Sequence, residues 1–162
     1  MIRKHYDDYD HIDPTNIYTY PGTSVLINKF GVRDAKRASE QDFRSVASQS
    51  IKLFLSPIEV HSVSDILQIH KVLFGEIYDW AREYRRVNIS KSGHAFMPIQ
   101  SFGTAEEYLN RLIRHYIEEA SSRSEICKSL ADILDNLNYF HPFRDGNGRT
   151  QREVIRSLAL MK

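Results

Sequence analysis

His141-Pro142-Phe143-Arg144-Asp145-Gly146-Asn147-Gly148-Arg149-Thr150-Gln151-Arg152 is the stretch whose reading decides the fold. Pro142 and Gly146 make its first half a poor helix interior. From Asn147 onward Val154, Ile155, Leu158 and Ala159 recur at helical spacing, so a helix is expected to start there. A loop that runs into a helix N-terminus offers backbone N–H groups with no intrahelical partner and the positive end of the helix dipole. Gly146 and Gly148 remove side chains where a phosphate oxygen would approach the main chain. Arg149, Arg152 and Arg156 fall on one side of the helix, and guanidinium groups pair with phosphates in bidentate fashion. Asp145 is a hard oxygen ligand for the divalent cation that accompanies a triphosphate. His141 takes a proton near neutral pH without a large pKa shift. A glycine pair before a helix is by itself an ordinary turn, and an arginine face an ordinary solvated surface. Base, acid, glycines and arginines together predict phosphate chemistry on a nucleoside triphosphate.

Size and charge bound the rest. At 162 residues the chain is long enough for one domain with a proper core. A net charge of +1, without a basic aromatic stripe, argues against direct nucleic-acid binding and against an anionic membrane. No apolar run reaches the length of a membrane span, and Met1–Tyr9 lacks the apolar centre of a signal peptide. Cys127 is the only cysteine, so there is no intrachain disulfide and no thiolate zinc cluster. A reducing compartment, the bacterial cytoplasm, is the simplest expectation, with secretion into a host cell left open.

Upstream of the motif the chain reads as helices broken by one hairpin. Residues 1–33 form an irregular arm with turn signals at Asp13-Pro14 and Pro21-Gly22, packed down through Tyr18, Tyr20 and Val25. Asp34 caps a helix to about Leu55, with Phe43, Val46, Ala47, Ser50, Ile51 and Phe54 inward. Ser62 caps a second helix that ends at Gly75 and buries Ile66, Ile69, Leu73 and Phe74, with His70 at the core edge. Tyr78–Ala81 reads as a short helix with Trp80 in the core. Residues 86–98 alternate polar and apolar positions around Lys91-Ser92-Gly93, which predicts a hairpin standing alone in a helical chain. Its unpaired edges make it either a connector over the core or a clamp that adds a strand of another protein. Thr104–Glu107 and Ser122–Glu125 have the pattern of capping boxes and open two more helices. The second carries Ile126, Leu130, Ile133, Leu134, Leu137 and Phe140 and runs directly into His141, with Asn138 either tying the loop down or lying on the surface.

The motif resembles the Fic signature H-x-F-x-[DE]-G-N-G-R-x-x-R and matches it at every fixed position. Tyr20–Val32 resembles the opening of compact bacterial Fic domains, and Leu73-Phe74-Gly75 through Tyr78 and Trp80-Ala81 resembles the phrase that precedes their flap. The resemblance implies an all-α fold, a Fic-type helical bundle over 34–162 with a single β-hairpin flap over the active site. It also implies a protein adenylyltransferase that moves AMP from ATP to a Ser, Thr or Tyr hydroxyl of a target protein. His141 would deprotonate that hydroxyl, Phe143 would anchor the loop, and Asp145 would hold Mg2+ between the alpha and beta phosphates. Gly146, Asn147 and Gly148 would form the anion hole, Arg149 would contact phosphate and Arg152 the gamma phosphate. Lys91 and Ser92 would touch the nucleotide from the flap, which would position the target. The family's inhibitory pattern [ST]-x-x-x-E-[GN] has no complete copy here: Ser121 and Glu125 have the spacing, but Ile126 follows. Two explanations follow, a separate antitoxin that supplies the glutamate or an inhibitory helix beyond Lys162; the first is expected, with the chain a toxin of the type that modifies type II topoisomerases. The alternatives are a host-directed effector domain, transfer of another phosphate-linked group, and a non-enzymatic nucleotide binder. Lys162 follows soon after the motif helix begins its apolar face, where Fic domains commonly have a further helix, so a truncated or minimal domain is expected.

Overall fold

Among the described residues five helices hold the motif, and three of them start where a side chain satisfies their first amides. A computed structural model describes the backbone of Asp10–His11 and residues 17–162; the turn expected at Asp13-Pro14 lies outside them. Helix α1 (Ala35–Leu55) is capped by Asp34, whose carboxylate accepts from the Arg37 N–H at 2.9 Å. Helix α2 (Val63–Phe74) opens with a capping box of Ser62 and Asp65. Helix α4 (Arg123–Phe140) opens with the box of Ser122 and Glu125. Helix α3 (Phe102–Glu119) differs from expectation: a 3-10 turn at Ile99–Ser101 leads into it, so Thr104 lies inside the helix and caps nothing. Helix α5 (Asn147–Leu160) starts where the motif predicts. Tyr78–Ala81 is a run of turns and not a helix. Trp80 is half-buried at the core margin, stacked on Tyr78 at 4.4 Å between ring centroids.

The core lies between α2, α3, α4 and α5. Ile66, Ile69, Leu73 and Phe74 of α2 meet Ile133, Leu137 and Phe140 of α4 and Val154 and Leu158 of α5, all buried. Burial of each such side chain contributes about 1.5–3 kcal/mol, so the two helices that flank the motif loop are fixed by the best-packed part of the molecule. The inward face expected for α1 is only partly realised. Val46, Gln49 and Leu53 are buried, whereas Phe43, Ile51 and Phe54 are 61–73% exposed. Those residues do share one face of α1, but that face turns away from the bundle.

The hairpin consists of β2 (Ile89–Lys91) and β3 (His94–Ala95), antiparallel, with Ser90 opposite Ala95. Ser92 and Gly93 form its turn with φ of 51° and 79°, the left-handed pair that a tight two-residue hairpin requires. It does not stand alone. Strand β1 (Asp10–His11) pairs antiparallel with β2, which places β2 in the middle and β3 at the edge. Tyr18 and Val25 pack the arm down as expected, Tyr18 with Val87 and Ile89 under the sheet. The Pro21-Gly22 turn closes with the Thr23 N–H on the Tyr20 carbonyl at 3.0 Å.

Candidate active site

Helix α4 delivers His141 as its C-cap residue, in the left-handed conformation (φ 45°, ψ 59°). The imidazole is buried, and its Nδ1 lies 2.9 Å from the Asn138 carbonyl. A carbonyl can only accept, so Nδ1 carries the proton and Nε2 is the basic nitrogen. The tie to Asn138 is therefore through its main chain, while its side chain is exposed. Burial, and then the charges of Arg85 and Lys91, push the His141 pKa down to about 4 against the opposing Asn138 contact. At neutral pH the ring is an uncharged base.

The loop from Pro142 to Gly146 is buried throughout. Asn147 folds it: its Oδ1 accepts from the Phe143 N–H at 3.0 Å and its Nδ2 donates to the Phe143 carbonyl at 2.8 Å. The Asn147 side chain thus builds the cradle from within. Gly146 has φ 78°, and a Cβ there would sit 2.4 Å from ring atoms of Phe74. The left-handed backbone and this contact with α2 both require glycine there. At Gly148 a Cβ would meet only the Arg152 guanidinium, at 3.8 Å, so that position is open and Arg152 stands at its mouth. The first α5 backbone bond runs from the Thr150 N–H to the Gly146 carbonyl at 3.0 Å, so the amides of Asn147 and Gly148 precede the helical ladder. Asp145 is buried beside them and pairs through Oδ2 with Arg149 at 3.2 Å. Arg149 also pairs with Asp42 of α1 and lies over the Phe74 ring at 4.5 Å.

The flap closes over this junction. Phe96, just past β3, stacks on the His141 imidazole with ring centroids 3.6 Å apart. Lys91 ends β2 near enough for its charge to act on His141, and Ser92 is exposed at the turn. The flap thus meets the base through Phe96 and Lys91, and the acid and the amide-bearing helix start follow the base on the same buried loop. Glu125, which has only the spacing of the inhibitory pattern, accepts from the Ser121 and Ser122 amides at 3.1 and 2.9 Å as the α4 capping acid.

Residues 60–159 match the family model of the Fic/DOC family. The chain belongs to the Fic/DOC family. It is 33% identical over 146 residues to the protein adenylyltransferase VbhT of Bartonella schoenbuchensis, covering 88% of this chain and 30% of that protein. It is 30% identical over 147 residues to the probable protein adenylyltransferase Fic of Salmonella typhimurium, covering 88% of this chain and 72% of that one. The chain thus spans less than a third of VbhT. In structure it resembles the N-terminal Fic domain of a Bep effector protein from Bartonella sp. AR 15-3, with a TM-score of 0.84 at 24% identity, covering 93% of this chain and 75% of that one. It also resembles the BepC protein of Bartonella tribocorum, solved with bound AMPPNP, with a TM-score of 0.77 at 23% identity, covering 90% and 77% of the two chains.

Three residues of this Fic site are not assigned to it by sequence: His70 reads only as a core-edge histidine, and Asp42 and Arg85 are not singled out. His70 is fully buried: its Nδ1 accepts from the Arg82 N–H at 3.0 Å, and its Nε2 donates to the Asp145 carbonyl at 3.1 Å. Its ring stacks on Phe143 at 3.7 Å, and burial lowers its pKa to about 3, so it is a neutral brace under the Fic loop. Asp42 anchors Arg149 from α1. Arg85, buried, reaches the His141 carbonyl. A polar residue on an otherwise apolar helix face was the available signal for His70; nothing local separates Asp42 or Arg85 from surface charges.

Proposed function

We propose that this Fic-domain chain is a protein adenylyltransferase that transfers AMP from ATP to a Ser, Thr or Tyr hydroxyl of a target protein. The observation that carries the reading is the neutral His141 imidazole, protonated on Nδ1 toward Asn138, beside a buried carboxylate and the amide-bearing start of α5. The names of the relatives and the AMPPNP held by BepC support it. The target hydroxyl attacks the alpha phosphorus in line and its proton passes to Nε2 of His141. A P–O bond forms, the bond to the bridging alpha–beta oxygen breaks, and pyrophosphate leaves. The chain positions the reactants and neutralises charge: the α5 amides, Arg149 and Arg152 hold phosphate oxygens, and Lys91 and Ser92 approach the nucleotide from the flap.

Asp145 fits Mg2+. It is a single buried hard carboxylate beside the phosphate cradle, and the described residues contain no group of three acidic, His or Cys side chains that would build an all-protein cage. Mg2+ is commonly held by one or two carboxylates together with substrate phosphates. Bound there, the ion would neutralise charge on the alpha and beta phosphates.

The target docks on the flap. Since β1 occupies one side of β2, the edge offered to an added strand is β3. We read the chain as a bacterial cytoplasmic toxin restrained by a separate antitoxin with an inhibitory glutamate. The exposed α1 face with Phe43, Ile51 and Phe54 supports a helical partner there. It borders the arginine side of α5, where Arg156 reaches both the Phe54 ring and the Leu53 carbonyl. Co-purification of a small protein that carries [ST]-x-x-x-E-[GN] checks this.

The test of the main reading is His141→Ala with alpha-labelled ATP and a bacterial lysate. The variant is expected to bind ATP and to lose roughly 10²–10⁴ in label transfer, the worth of a general base. Equal transfer by the variant overturns the assignment, and a mass change other than AMP on the labelled protein overturns the donor group.

A further inference from the structure

Arg85 and Arg86 are adjacent in sequence and opposite in setting. Arg86 is a surface residue paired with Glu83 at 3.0 Å. Arg85 is only 2% exposed, in front of the flap, with its guanidinium 4.8 Å from the Phe102 ring centroid. Its donors go to main-chain carbonyls of three separate segments. Nε donates to His141 at 2.8 Å, Nη1 to Val87 at 2.6 Å, and Nη2 to Met97. Its own N–H donates to the Pro142 carbonyl at 2.8 Å. Val87 is where the chain enters the flap and Met97 is where it leaves. Met97 also donates its N–H to the Tyr139 carbonyl at 3.0 Å, on the last turn of α4.

One planar fork therefore joins both ends of the flap to the peptide of the base. That peptide needs holding, because His141 has φ 45°, a conformation that costs a non-glycine residue about 1–3 kcal/mol. In any other conformation the imidazole would leave Asn138 and point elsewhere. Lysine could not substitute, since its three donors radiate from one nitrogen and do not span a plane.

We propose that Arg85 is the positioning residue that fixes the flap relative to the His141 imidazole, so that a hydroxyl presented by the flap meets Nε2. This rests on the adenylyl-transfer reading. Arg85 touches no reactant; it acts through His141, Val87 and Met97.

The test uses the whole chain with Arg85→Ala and Arg85→Lys. Label transfer from alpha-labelled ATP to lysate proteins should fall about 10²-fold in both, the cost of a misplacement of order 1 Å. ATP binding should weaken far less than transfer, because the cradle is built by Asn147 and Phe143 and only Lys91 and Ser92 approach the nucleotide from the flap. Methylguanidinium should restore transfer to the alanine variant and leave the lysine variant unchanged. In nitrogen-detected NMR, the His141 ring signals should lose the Nδ1–H pattern and the ring-current shift from Phe96, while those of exposed His94 and His115 stay put. Wild-type transfer in Arg85→Lys overturns the proposal. So does an unchanged His141 spectrum in Arg85→Ala, or a loss of transfer that only follows loss of fold with no rescue. If the wild type labels nothing, the adenylyl-transfer reading fails, and the NMR comparison still decides whether Arg85 holds the base.

Discussion

Gly146 and Gly148 look interchangeable in the motif and do different work. At Gly146 the backbone is left-handed and the space of a Cβ is filled by Phe74. Gly146→Ala is expected to cost about 3 kcal/mol, from left-handed strain of about 1–2 kcal/mol and overpacking of about 1–3 kcal/mol. At Gly148 there is room, so Gly148→Ala should keep full stability and lose label transfer, the methyl standing where a phosphate oxygen approaches the α5 amides. Chemical denaturation and labelling of the two variants separate packing from chemistry. The reverse pattern would mean that the two glycines have been given each other's roles.

At the scale of elements, most of the bundle was legible. Asp34, Ser62 and Ser122 announce three helix starts because a capping side chain and the amides it serves are neighbours in sequence. The Thr104–Glu107 pattern misleads because Phe102 is buried and draws the helix start back past the polar signal. In α1 the periodicity is genuine but its direction is not local information: periodicity marks an apolar face without saying what covers it. Phe54→Ser should therefore change stability by no more than about 0.5 kcal/mol, whereas Leu53→Ala, which opens the core, should cost about 2–5 kcal/mol. Urea titrations of the two give the contrast directly. The motif loop was legible because its residues are consecutive. His70, Asp42 and Arg85 were not, since each reaches the loop from more than 50 residues away in sequence.

For the whole molecule, two buried histidines set the acid behaviour. His70 and His141 have pKa values near 3 and 4, lowered from 6.5 mainly by burial. Between those values and about 6.5 the unfolded chain binds protons that the folded chain refuses, so stability rises with pH there. Their contribution is fully present above about 6.5 and is lost as pH falls toward 4 and 3. Urea midpoints measured from pH 7 to pH 4 should drop steadily, and less steeply in His141→Ala. The order of elements around the loop carries one more consequence. α4 ends at His141 and α5 begins at Asn147, so the negative pole of one dipole and the positive pole of another face the same small space. In the proposed transfer the imidazole would gain a positive charge at the first pole while pyrophosphate would gather negative charge by the second. On that reading the two helices set up a standing field that would favour moving charge in the forward direction before any side chain has to move.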